Sequence, residues 1–235
     1  MAVPVLIIGK SGSGKSASLR NFAETDKINV INVIGKPFPF RGKLKSGSSD
    51  DYQQVMKWLI QFPAKAIAID DAGYLITNMF MRGHSASGGG NAIFSFYNKI
   101  GDHFWNLIEF IKTKVPQDKI VYLIMHEDTD DFGNIKPKTI GKILDEKVCI
   151  EGMFTIVLRC MTENGKHYFL TQSNGSDVAK TPIGMFEDEK IDNDLAAVDA
   201  AIRDYYGMDA ETVDDDKTPK EEGEKPDGKT EGVQT

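Results

Sequence analysis

Apolar residues recur along this chain in two rhythms. Short continuous runs read as buried strands: Val3–Ile8, Asn29–Ile34, Ala66–Ile69, Lys119–Met125 and Met153–Arg159, with His167–Thr171 returning from the last of these. Between them the spacing changes to that of helices. Ser16–Ala23 can form a first helix. A second runs from a cap at Asp50 or Asp51 to Gln61, with Tyr52, Val55, Trp58 and Leu59 on one face and Pro63 beyond its end. Ala72–Met81 predicts a third. Ile93–Lys114 predicts a long fourth, turning Phe94, Tyr97, Ile100, Phe104, Leu107, Ile108 and Ile111 to the core and leaving His103 and Trp105 to packing and surface. Asn193 caps a fifth, Asp194–Tyr206, which Gly207 ends. Glu163-Asn164-Gly165-Lys166 reads as a tight turn, so the last two strands make a hairpin. Strands that alternate with helices predict a mainly parallel sheet covered on both faces. Three stretches break both rhythms: Gly35–Asp50, Met81–Asn91 and Asp128–Lys142. The last two are expected to be mobile loops.

The break after the first strand carries the chemistry. Gly9-Lys10-Ser11-Gly12-Ser13-Gly14-Lys15-Ser16 reads G-x-x-x-x-G-K-S, the P-loop signature, with a strand before it and a helix after. Glycines let such a loop turn its N–H groups onto a phosphate, and the following helix adds its positive end. Lys15 is then expected on the β- and γ-phosphates of ATP, and the Ser16 hydroxyl on Mg²⁺. Ala66-Ile67-Ala68-Ile69-Asp70-Asp71 fits a Walker B strand, with Asp70 as the second Mg²⁺ ligand. Two roles are open to Asp71: orienting the attacking water, or capping the helix behind it. Two are open to His126, at the carboxyl end of Lys119–Met125: sensing the γ-phosphate from between the P-loop and Walker B strands, or merely closing a strand. Lys36, Arg41, Lys43 and Lys45, interleaved with Phe38 and Phe40, suit single-stranded nucleic acid or a nucleotide, or else form a solvated basic loop.

Composition narrows the class. The 235 residues suffice for one α/β domain, expected over 1–208, and no apolar segment is long enough to span a membrane. No signal peptide is expected, and Cys149 and Cys160 lack metal or redox spacing, so a reduced, cytoplasmic protein is the expectation. Net charge is −7, but residues 209–235 hold ten acids against four bases and read as a disordered acidic tail. The body is therefore near neutral, and nucleic acid remains open as a partner.

The order of elements, with one strand between the P-loop and Walker B strands in sequence and a hairpin after the fifth, resembles RecA-type cores rather than proteins with a helical lid. More specifically, GKSGSGKS, VINVIGKPFPFRGK, AIDDAGYLI, LIMHEDTDDFG and AKTPIGMF resemble the P-loop nucleotide-binding proteins of phages infecting Gram-positive bacteria, over residues 1–190. The resemblance implies a RecA-like P-loop NTPase acting in single-strand annealing, recombination or replication, in the host cytoplasm. It implies that Arg82–Asn91 and Asp128–Lys142 contact DNA. It also implies that Lys180 reaches the nucleotide of a neighbouring subunit, as in self-association into a ring or filament. The chain departs from RecA where that family keeps a glutamate after the second strand; Gly35-Lys36 stands there, leaving Asp71 or Glu127 to substitute. Lys10 holds the place of the extra lysine of MinD-like ATPases. A small-molecule kinase and a non-hydrolysing adaptor such as a helicase loader are the alternatives. A kinase lid needs clustered arginines, and Arg20, Arg41, Arg82, Arg159 and Arg203 are scattered.

Overall fold

The computed structural model describes residues 1–88, 90–140, 144 and 147–209. The expected acidic tail, apart from Asp209, lies outside them, as do Gly89, Gly141 and Lys142 of the two expected loops. The described residues form an α/β fold around one nine-stranded mixed sheet, mainly parallel at its centre. Its strands are β1 (Val3–Gly9), β2 (Ile28–Asn32), β3 (Lys45–Gly47), β4 (Ala66–Asp70), β5 (Ile120–Thr129), β6 (Ile135–Pro137), β7 (Ile156–Glu163), β8 (Lys166–Leu170) and β9 (Lys190–Asp192). The spatial order is β3-β2-β4-β5-β1-β7-β8-β9, with β6 paired to the end of β5. The strands from β3 to β7 run parallel along this path, whereas β8, β9 and β6 pair antiparallel.

The continuous apolar runs are explained by burial on both faces. Leu6 and Ile8 of β1, with Val121, Leu123 and Met125 of β5, face α1 (Tyr52–Gln61), α2 (Gly73–Gly83) and α3 (Asn91–Lys114). Val5 and Ile7, with Ile120, Tyr122 and Ile124, face the 3-10 helix Ser16–Phe22 and α4 (Leu195–Tyr206). The Tyr122 hydroxyl, deep in this second layer, donates to Asp199 at 2.8 Å, and Arg203 donates to the same carboxylate at 2.7 Å. Burial beside that carboxylate pushes the Tyr122 hydroxyl well above the ordinary phenol range.

Several expectations shift. The helix after the loop is a 3-10 helix. Asp51 caps α1 as read, accepting from Gln53 N–H, but Asp194 rather than Asn193 caps α4, accepting from Ala196 and Ala197. Asn193 instead donates to the Cys160 sulfur and accepts from Arg20. Phe94 lies outside the core, 65% exposed, and full burial along α3 begins only at Ile100. The stretch after β5 is not simply a loop. Glu127, Asp128 and Thr129 pair with Pro137, Lys136 and Ile135, forming a ladder that closes over 130–134. The break between α2 and α3 shrinks to 84–90, and Arg82 ends in an ion pair with Asp50. The β7–β8 hairpin forms as read, with Asn164 and Gly165 at φ 51° and 76° in a two-residue turn. No helix among the described residues is long and apolar enough to cross a membrane.

Candidate functional site

The site gathers at the carboxyl edge of the parallel strands. β1 ends at Gly9, level with His126 of β5 and Cys160 of β7. There a side chain has no room: a Cβ on Gly9 would lie 2.6 Å from the Cys160 carbonyl and 2.6 Å from Ser13 Oγ. The chain then loops over this edge. Gly14 sits at φ 99°, and a Cβ there would meet the His167 ring at 2.7 Å, so the position demands glycine on both counts. Lys10, Ser11 and Gly12 face solvent, while Ser13 and Lys15 are buried. Ser13 N–H donates to the Lys10 carbonyl, and no partner among the described residues is found for the N–H groups of Gly12, Gly14 and Lys15.

The Lys15 ammonium folds back and donates to the Gly9 and Lys10 carbonyls at 2.7 Å each. Burial pulls its pKa below the usual lysine range. Ser16 Oγ donates to Asp70 Oδ1 at 2.8 Å, spanning 54 residues of sequence. Asp70 is fully buried at the end of β4, and its second oxygen, Oδ2, has no hydrogen-bond partner among the described residues. Burial, then the neighbouring Asp71 charge, raises the Asp70 carboxyl to about 6. A hydroxyl in contact with a buried carboxylate that keeps a free oxygen is a donor set that suits Mg²⁺, which takes one or two carboxylates and fills its other positions from phosphate and water. No cluster of three or more His, Cys, Asp or Glu side chains fit for a metal is found among the described residues.

Asp71 resolves one of the open alternatives. It does not cap α2, whose N-cap is Ala72 with no side-chain bond. Asp71 adopts φ 60°, a left-handed conformation that costs an aspartate of order 1 kcal/mol or more. The chain is held beyond it by Ala72 N–H donating to the Ile124 carbonyl at 2.8 Å. This twist sends the buried Asp71 carboxylate toward Lys36 Nζ at 2.5 Å and His126 Nε2 at 3.7 Å. Burial opposes the Lys36 charge, but Asp71 outweighs it and the Lys36 pKa rises. For His126 burial dominates, Lys15 adds to it, and the imidazole is held below its ordinary value, hence neutral at pH 7.

Ser11, Gly12, Gly14, Lys15 and Ser16 thus share a cavity of about 380 Å³ with Lys36, Asp71, His126 and His167, a size ordinary for a small-molecule site. A second cavity, of about 480 Å³, lies on the far side of Lys10 and Ser11, between Tyr74, Thr77, His126 and Lys138. Of the residues expected from sequence, Gly9 to Ser16, Asp70, Asp71 and His126 are therefore together. Lys180 is not among them in its own chain. Its backbone bridges Val157, level with Leu6 and so three rungs, about 10 Å, below Gly9. Glu127, a possible substitute base, has both oxygens bound by Arg159, at 2.9 and 3.0 Å, with Asp177 3.6 Å from the same guanidinium.

Sequence reasoning missed one member, His167, and named Lys36 only among the cations of the basic loop, not beside Asp71. Lys36 had a usable signal for that place, since it follows a Gly-turn at the carboxyl end of a parallel strand, where such sheets place their ligands. His167 had none; only the hairpin register carries it over Gly14, where its Nδ1 meets Thr162 Oγ1 at 2.9 Å. No protein-family model matches the chain, and neither does any curated protein.

Proposed function

We propose that this chain is a P-loop NTPase with a RecA-like core, which binds ATP with Mg²⁺ on the Gly9–Ser16 loop and hydrolyses it while acting on single-stranded DNA. The observation that carries this reading is the Ser16–Asp70 contact: the hydroxyl that ends the glycine loop meets a buried carboxylate with one unpaired oxygen, within electrostatic reach of the Lys15 ammonium. In use, the Lys15 ammonium leaves the Gly9 and Lys10 carbonyls for the β- and γ-phosphates, and Ser16 and Asp70 are the residues that would hold Mg²⁺. The metal supplies neutralisation of the charge shared by the β- and γ-phosphate oxygens. Asp71 and the neutral His126, at the γ end, are the groups that hold the attacking water. His167 bounds the opposite end of the cavity, beside Gly14.

The DNA part rests on the hairpin beyond His126. Phe132 at its tip is 91% exposed, and Lys136 and Lys138 lie on its returning side. An exposed ring beside cations is a stacking platform for unpaired bases. The resemblance to phage proteins supports recombination or replication as the setting. A kinase reading loses ground because four of the five arginines are held elsewhere, by Asn193, Asp50, Glu127 and Asp199, and do not form a lid.

The test is ATP binding and turnover with and without single-stranded DNA, in the wild type and in Lys15→Ala. Mg²⁺-dependent hydrolysis that rises with DNA and disappears in the variant is expected. Undiminished turnover in Lys15→Ala would refute the site, and phosphoryl transfer to an added nucleotide would favour the kinase instead.

A further inference from the structure

The site as described still lacks a cation free to meet charge developing on the terminal phosphate, since Lys15 alone serves two phosphates. The turn after β2 supplies one. Asn32 closes β2, a run that is otherwise apolar from Val30 onward, and it is buried. A buried amide must be hydrogen-bonded, and Asn32 uses both ends on the turn that follows. Its Oδ1 accepts from Gly35 N–H at 2.9 Å, and its Nδ2 donates to the Lys36 carbonyl at 2.7 Å. Asn32 lies level with Asp70 on β4. The side chain that fixes the turn is thus in register with the carboxylate that would bind metal, and Lys36 is set over the same edge. The Lys36 side chain remains 43% exposed, while Asp71, to which it is paired, is 2% exposed.

We propose that Lys36 is the cation for the terminal phosphate, supplied in cis: it exchanges its ion pair with Asp71 for the γ-phosphate of a bound nucleoside triphosphate. This inference rests on the nucleotide reading above and assigns the role that the resemblance gave to Lys180 of a neighbour. The charges favour the exchange. Lys15, Lys36, Asp70 and Asp71 balance among themselves, so a triphosphate with one Mg²⁺ brings uncompensated negative charge to the pocket. A lysine on a flexible stem is the group that moves to it. The same movement bares Asp71. In the step that follows, water oxygen bonds to the γ-phosphorus, and the bond from that phosphorus to the β-bridging oxygen breaks, its electron pair leaving on ADP. The water's proton passes to the released phosphate. A triphosphate thereby trades an Asp71 held by Lys36 for one open to the attacking water, so binding and site assembly are a single event.

The experiment compares binding of fluorescent ATP and ADP analogues, with Mg²⁺, to the wild type, Lys36→Ala and Lys36→Arg, together with turnover and thermal melting. Lys36→Ala should weaken the triphosphate about tenfold or more and leave the diphosphate nearly unchanged, since only the triphosphate carries the group that Lys36 meets. Turnover should fall on the order of 10³-fold. Lys36→Arg, which keeps the charge, should recover most of the triphosphate preference. Specific activity should not depend on protein concentration, and mixing Lys36→Ala with Lys15→Ala chains should restore nothing, because each chain lacks one half of its own site. Equal loss for both nucleotides, or no loss, overturns the proposal while leaving the nucleotide site in place. So does a Lys180→Ala chain that loses turnover and regains it on mixing with Lys15→Ala, which would move the cation to the neighbouring subunit. A wild type that binds neither nucleotide overturns both readings.

Discussion

Replacing Glu127 by glutamine separates a structural acid from a catalytic one. Glu127 follows His126 at the edge of the site, and its carboxylate oxygens take Arg159 Nε and a terminal nitrogen at 2.9 and 3.0 Å, with both residues buried. The hydrogen bond to Glu127 is the chief reason that the Arg159 pKa rises further. Removing one charge from such a pair costs about 3–5 kcal/mol, because the other charge stays buried without compensation. Two features place this case at the low end. The glutamine side chain keeps the volume and still accepts one bond from Arg159, and Asp177 lies 3.6 Å from the guanidinium and takes up part of its charge. A loss of about 3 kcal/mol follows, which lowers the melting temperature of a domain of this size by about 6–12 °C. Glu127→Leu combined with Arg159→Met removes both charges of the pair but strips the buried Asp177 carboxylate of its guanidinium, so it should return only part of that loss. The assay is thermal melting of the three chains, with ATP turnover measured below the lowest transition. If Glu127 is structural, Glu127→Gln retains turnover per folded molecule while its melting temperature falls. An unchanged melting temperature with turnover abolished would refute the reasoning and return Glu127 to the role of base.

Two further outcomes follow from the site. Asp70→Asn should stabilise the metal- and nucleotide-free protein at pH 7.5: with its folded pKa raised to about 6, Asp70 takes up its proton more readily folded than unfolded, so its penalty is absent below about pH 4, grows as pH rises to about 6, and reaches about 3 kcal/mol. The melting-temperature gap between variant and wild type should therefore be near zero at pH 4 and positive at pH 7.5, and a gap that does not change with pH would sink the argument. Gly14→Ala should lose nucleotide binding and about 1–3 kcal/mol of stability, from a strained φ and a clash with the His167 ring, and adding His167→Ala should relieve the steric part alone; equal melting of the single and double variants would show that the ring is not the obstacle.

What the sequence determined by itself was local. The strands β1, β4 and β5, the glycine loop, helices α1 to α4 and the Asn-Gly turn are legible because each is set by neighbouring residues: a continuous apolar run, a helical period, a cap or a turn residue. The helix type after the loop, the cap of α4 and the core face of α3 depart from the local pattern, because packing rather than propensity chose the outcome. The Gly9–Ser16 loop and Asp70 were legible for the same local reason, since spacing along one chain already implies a loop geometry. The tertiary structure alone decided which charges meet. Asp71 faces Lys36 rather than capping α2 because β2 and β4 are adjacent and Asn32 lies level with Asp70. Glu127 is spent on Arg159 because β5 and β7 flank β1, and His167 covers Gly14 because the hairpin register places it there. Such pairs join residues far apart along the chain, and single charged side chains carry no period to announce a partner. They become readable only once strand order and register bring the ends of distant strands to one edge.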